Sequence, residues 1–124
     1  MALLFARVSP VNNTKIAVTG SIAWDHIMVF PDKFKSHILP DKLHILNVSF
    51  LVDGFRRERG GCAANIAYAC ALQGLPANLI GAVGSDFGAY GDWLKEKNVD
   101  VSGVTEHGDI MTASCFITTD LDNN

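Results

Sequence analysis

The sequence predicts an α/β fold: a parallel sheet flanked by helices, incomplete toward its C-terminus. Three observations predict it. Short apolar stretches bounded by glycine alternate with stretches of high helix propensity. The order strand, excursion, helix, strand, helix, strand calls for crossover helices and hence parallel strands. The last residues, Asp120 to Asn124, carry a turn signal with no returning strand behind it. A sheet of two or three strands left open in this way makes a poor independent domain. The chain is therefore expected to be the N-terminal part of something longer.

The elements follow in order. Residues 1–14 read as a loose leader, and Lys15 to Gly20 (KIAVTG) as a short buried strand ending in glycine. Ser21 to His26 reads as a loop that carries one carboxylate and one imidazole. Residues 27–50 hold Pro31 and Pro40 without a sustained period, so a loop excursion is expected, with regular structure only near Leu43–Leu51. Ser49 to Arg59 reads as extended, with a break at Gly54. Ala63 to Gln73 has high helix propensity, Gly74 sits where a C-terminal cap belongs, and Pro76 follows. Asn78 to Val83 is a second buried strand. Ser85 or Asp86 is placed to cap a helix reaching Lys97, with Tyr90, Trp93 and Leu94 as its apolar stripe. Val99 to Val104 reads as a turn and short strand, and Thr112 to Thr119 as a β-branched strand.

Composition narrows the classes of function. The 124 residues carry a net charge of -3, with 48% hydrophobic residues, which suits a packed core. This balance offers no electrostatic footprint for nucleic acid or an anionic membrane. Arg56, Arg57 and Arg59, interrupted by Glu58, read as a solvated edge. Cys62, Cys70 and Cys115 form no CxxC pair, which argues against zinc and thioredoxin-like chemistry. The uncharged stretch from Gly60 to Ser85 is interrupted by Asn65, Gln73, Gly74, Pro76 and Asn78, so it does not read as a membrane span. A cytoplasmic, reduced protein is expected.

One constellation carries chemical information. Gly60-Gly61 stands just before a predicted helix and allows a backbone approach that a Cβ would block. Helix N-termini offer free N–H groups to a polar ligand. Asn65 falls in the first turn, and its amide both donates and accepts, which suits a sugar hydroxyl. On local chemistry alone, a plain loop-to-helix turn with Asn65 as a cap explains the same residues more cheaply.

The spacing adds a resemblance. Gly60, Gly61, Ala63, Asn65, Ala67, Gly74 and Gly84 fill every place of the first signature of the pfkB family of carbohydrate and nucleoside kinases. Thr19 to Asp25 (TGSIAWD), Gly84 to Gly88 (GSDFG) and Asn98 to Val104 resemble further stretches of that family. The resemblance covers roughly residues 15–120, and the 31–59 excursion and the run from Ala113 to Asp120 look most like the adenosine-kinase-like members.

The resemblance implies that residues 1–124 are the N-terminal part of a single ribokinase-like domain, with about 31–59 contributing to a small β-lid that closes over substrate. It implies that Asp25 binds vicinal sugar hydroxyls, since a carboxylate can accept two of them at once. Gly60 and Gly61 would lie against the sugar and hinge the lid, and Asn65 would hold a further hydroxyl. Two departures, Ala23 and Cys62, stand where ribokinase-like members carry sugar-contacting Asn and Lys. They favour a nucleoside acceptor, adenosine first, with Trp24, Phe55 and Phe116 as candidate base or lid contacts. His26 reads as structural or solvated, and Cys62 as a small buried thiol. No catalytic residue is expected in this chain: the family's catalytic base, anion hole and nucleotide site belong to a segment C-terminal to Asn124. ATP and Mg²⁺ would serve the full-length parent, with no metal ligand here.

Two classes of function follow. One is an ATP-dependent kinase acting on a primary hydroxyl of a sugar or nucleoside, of which these residues alone would be inactive. The other is a truncated, noncatalytic kinase-fold module that binds a partner or forms a homodimer through its lid strands.

Overall fold

The computed structural model describes residues 15–38 and 49–124. The expected leader over 1–14 and the centre of the excursion, including Pro40 and Leu43, lie outside the described residues. The elements run β1 (Ile16–Thr19), β2 (Ala23–Val29), α1 (Phe34–His37), β3 (Gly54–Gly60), α2 (Cys62–Leu72), β4 (Ala77–Gly84), α3 (Gly88–Glu96), β5 (Val99–His107) and β6 (Ala113–Thr119).

They build two sheets. The first is parallel, in the order β1-β4-β5. Strand β4, helix α3 and strand β5 form a crossover unit, and α2 leads into β4. Val18 pairs in register with Leu79, and both are buried with Val83 and Val99 against Ala63, Ala64 and Ala67 of α2 and Tyr90 and Leu94 of α3. Alanines on α2 let the helix approach the sheet closely, and α3 supplies the large side chains. Among the described residues nothing covers the far face of this sheet: Ala17, Thr19, Ile80 and Ala82 are exposed. Strands β1 and β4 are thus buried on one face only, where the sequence suggested burial throughout.

The second sheet has the order β3-β2-β6, with β2 antiparallel to β3 and parallel to β6. It corrects the expectation for Ser21 to His26. Asp25 and His26 sit within a central strand, not in a loop, and the strand runs on to Val29. The sequence hides this strand because, Trp24 apart, its residues are partly exposed on both faces, so apolar and polar residues do not alternate. The excursion also contains the short helix α1. The break expected at Gly54 is the start of β3.

Helix α2 ends as its glycine foretold. Gly74 has φ 73°. Its N–H donates to the Ala71 carbonyl, and that of Leu75 to Cys70, each at 3.0 Å, which is the Schellman closure. Helix α3 departs from expectation: its N-cap is Phe87, with no side-chain cap bond. Ser85 and Asp86 are engaged elsewhere, with the segment that leads into β6. Among the described residues no helix is long and apolar enough to cross a membrane.

Candidate functional site

The two sheets meet where β2 leaves β1, where β3 ends, and where α2 begins. Gly20 turns the chain out of β1 with φ 146°. Gly61 turns it from β3 into α2 with φ 93°. A Cβ on Gly61 would lie 2.5 Å from the Ser21 carbonyl oxygen and 2.7 Å from the Ala23 nitrogen. Only glycine satisfies both the conformation and the contact.

Gly60 ends β3 opposite Ala23, beside Asp25 on the same face of the second sheet. A Cβ there would lie 2.3 Å from Oδ2 of Asp25. The missing side chain is thus the space that the Asp25 carboxylate occupies. The Gly60 carbonyl accepts a hydrogen bond of 2.8 Å from the buried Tyr90 hydroxyl. Burial pushes that phenol up to about 12; the Arg59 charge opposes the shift and Asp25 reinforces it. Tyr90 therefore stays a donor and pins the glycine pair to α3.

The start of α2 differs from the expectation of free N–H groups. The Cys62 N–H donates to the Ser21 hydroxyl at 2.9 Å, and the Ala63 N–H to the Ser21 carbonyl at 3.0 Å. Ser21 thus caps the helix from another segment, a role that no local spacing announces. Its hydroxyl also lies 3.3 Å from Sγ of Cys62. That side-chain bond, then the backbone bonds around it, hold the thiol below its ordinary value. Cys62 is exposed, which corrects the expectation of a buried thiol. Asn65 lies in the first turn with its side chain exposed, and its N–H makes the first intrahelical bond, to Gly61.

Register sorts the remaining candidates. Asp25 shares its face with Glu58 and Cys115, and the next pairs on that face are Ile27 with Arg56 and Ile117. Trp24 points to the other face, where it is buried and packs 5.0 Å from the Tyr90 ring. Phe55 and Phe116 also lie on that other face, both exposed and stacked on His26 at 5.7 and 4.7 Å. The structure therefore brings Asp25, Gly60 and Gly61 together at the head of α2, one turn before Asn65. Trp24, Phe55 and Phe116 stay apart from them. The apolar residues beside Asp25 are Ile27 and Ile117, which the sequence does not reveal: Ile27 falls in the expected excursion, and the pairing of Ile117 with it is set by the register of β6 on β2.

The arginines are less free than their run suggested. Arg57 lies over Trp24, 3.6 Å from the ring centroid, and Arg59 over Trp93 at 4.7 Å. Among the described residues no group of three or more His, Cys, Asp or Glu side chains could hold a metal ion.

The two sheets of this α/β fold thus meet at a carboxylate and a glycine pair beside the head of a helix. The chain belongs to the pfkB family of carbohydrate kinases, whose signature matches residues 14–124. It is 34% identical over 111 residues to a nucleoside kinase of Methanothermobacter thermautotrophicus, a match covering 88% of this chain and 33% of that protein. The nucleoside kinase of Burkholderia thailandensis in complex with inosine superposes with a TM-score of 0.74 at 43% identity, covering 88% of this chain and 34% of the other. That protein has also been solved in complex with ADP-inosine. The nucleoside kinase of Methanocaldococcus jannaschii, a member of the ribokinase family, gives a TM-score of 0.73 at 29% identity, covering 89% and 34%. The chain thus spans about a third of the length of the relatives it matches.

Proposed function

We propose that this chain forms the acceptor-binding part of a kinase that transfers the γ-phosphoryl group of ATP to a primary hydroxyl of a nucleoside. The observation that carries the reading is the space Gly60 leaves for the Asp25 carboxylate at the sheet junction. Two carboxylate oxygens there can accept two adjacent hydroxyls of a ribose. Asn65, one turn into α2, supplies a further donor and acceptor. Ile27 and Ile117, on Asp25's face, offer the apolar surface that a purine needs and a free sugar does not. Adenosine is the favoured acceptor on the sequence pattern, and the inosine complex of the Burkholderia protein makes inosine the second purine to test.

Phosphoryl transfer of this kind depends chiefly on positioning and charge stabilisation. In this reading Asp25 and Asn65 fix the sugar, and the second sheet excludes water from above it. In this reading the base at the acceptor hydroxyl would come from outside these residues, as the family resemblance implies. ATP, with Mg²⁺, would supply the phosphoryl group from the part of the complete protein that lies outside these residues. Residues 1–124 alone would then be inactive. The outer strands β3 and β6 leave open edges, which favours a homodimer through the second sheet; sedimentation of the complete protein, wild-type and Phe116→Glu, tests it.

The kinase reading is tested by incubating the complete protein with ATP, Mg²⁺ and a panel of adenosine, inosine, other nucleosides, ribose and fructose. Phosphorylation of a purine nucleoside, lost in Asp25→Ala, is expected. Preference for a free sugar would overturn the nucleoside assignment, and no transfer to any acceptor would overturn the kinase reading.

A further inference from the structure

Asp86 stands in the Gly84-Ser85-Asp86 turn between β4 and α3, where the chain passes again at Ile110–Thr112 on its way into β6. The two segments are in backbone contact. A Cβ on Gly84 would lie 2.2 to 2.4 Å from backbone atoms of Ile110, Met111 and Thr112. The Gly84 N–H donates to Oγ1 of Thr112 at 3.0 Å, and the Ser85 N–H to the Ile110 carbonyl at 3.0 Å. The Thr112 N–H donates to Oδ1 of Asp86 at 2.8 Å.

The other oxygen of the same carboxylate faces a different strand. Oδ2 of Asp86 lies 3.9 Å from Nη1 of Arg57 in β3. Asp86 is largely sheltered and Arg57 is partly so, with side-chain exposures of 16% and 39%. Arg57 lies over Trp24, the same ring that packs on Tyr90 of α3. Burial alone would raise the Asp86 carboxyl, yet the bonds from Thr112 and the Arg57 charge leave it below its ordinary value. One side chain of the first sheet's turn thus reaches strand β3 through Arg57 and, through Thr112, the residue immediately before β6.

We propose that Asp86 is the latch that sets the second sheet's angle over the Asp25 site, and hence a positioning residue for acceptor binding. The role in acceptor binding rests on the kinase reading above. A sheet held less often in its closed position binds acceptor in proportion to the closed fraction, which raises KM and spares the chemical step.

The test uses the complete protein with Asp86→Asn, Arg57→Gln and the double variant. Asp86→Asn keeps an oxygen for Thr112 and removes the charge that faces Arg57. Each single variant is expected to raise the nucleoside KM by about three- to fivefold, the scale of one partly exposed ion pair, with kcat within about twofold. The double variant should be no worse than Arg57→Gln alone, which already removes the Asp86 contact together with the one over Trp24. Hydrogen exchange gives a readout independent of phosphorylation: amides of β3 and β6 should exchange faster in both variants, with α2 unchanged. Unchanged KM with unchanged exchange overturns the latch, as do fully multiplicative effects or a fall in kcat alone. If the wild type phosphorylates no acceptor, the kinase reading fails separately, and exchange in β3 and β6 alone decides the latch. If Asp86→Asn does not fold, Arg57→Gln carries both readouts.

Discussion

Gly60 matters for what it lacks. Its Cα faces the Asp25 carboxylate so closely that a methyl group would sit inside the oxygens' contact distance. Gly60→Ala must therefore move the carboxylate, the strand end or both. In the complete protein this variant should weaken nucleoside binding by about tenfold or more, the scale of a lost charged hydrogen bond, measured by calorimetric titration. An affinity within twofold of wild type would show that the carboxylate does not hold the acceptor. Much at this scale was legible only through the family resemblance, since local chemistry alone explains Gly60, Gly61 and Asn65 equally well as a plain turn and cap. Asp25, Gly60 and Gly61 are found together at one junction, with Asn65 one turn further on. What the sequence hid were contacts set by tertiary register. Ser21 caps a helix 41 residues away, and Arg57 and Arg59 lie on tryptophans instead of facing water alone. Phe55 and Phe116 were natural candidates for a base, but strand parity turns them to the other face.

At the scale of elements, the joint between the two sheets depends on α3 as much as on the glycines. Tyr90 reaches from α3 to the Gly60 carbonyl, and its ring packs between Trp24 and Phe87. Tyr90→Phe keeps the packing and leaves that buried carbonyl without its donor. The expected cost is about 1 to 2 kcal/mol, read as a lower urea midpoint with an unchanged slope. A midpoint equal to wild type would show that water replaces the hydroxyl. Helices α2 and α3 and strands β1 and β4 were legible because each buries one face against a single core. Strand β2 was not, since a thin sheet leaves all its residues but Trp24 partly exposed. The cap of α3 was misread for a related reason: Asp86 has the right spacing for an N-cap, but Thr112 offers it a tertiary donor.

The whole molecule shows two faces of one design. A parallel sheet is usually covered on both sides, yet among the described residues the side bearing Ala17, Thr19, Ile80 and Ala82 is open. The relatives are about three times longer than the matched region. At the opposite end, the buried Asp120 ties the second sheet to α1 and to the last turn. Its carboxylate accepts from the N–H groups of Phe34, Asp122 and Asn124, each at 2.9 Å. Burial works to raise it, but these bonds outweigh burial and lower it from 3.8 to about 2. A depressed folded-state value stabilises above the unfolded value and fades as pH falls through the folded one. Between pH 3.8 and about 2 this end of the molecule should therefore loosen, and Asp120→Asn should remove that part of the pH dependence of circular dichroism. An identical acid profile for the variant would place the acid-sensitive group elsewhere.

The central claim, that Asp25 grips the sugar of a nucleoside, is tested most directly by binding rather than turnover. The measurement is calorimetric affinity of the complete protein for a purine nucleoside and for its 2′-deoxy and 3′-deoxy analogues, in wild type and in Asp25→Ala. Removing a hydroxyl should cost the wild type about tenfold or more for at least one analogue, and Asp25→Ala should bind all three with nearly equal, weak affinity. A wild type indifferent to both hydroxyls, or a variant that still discriminates as strongly, would contradict the assignment of Asp25 to the sugar.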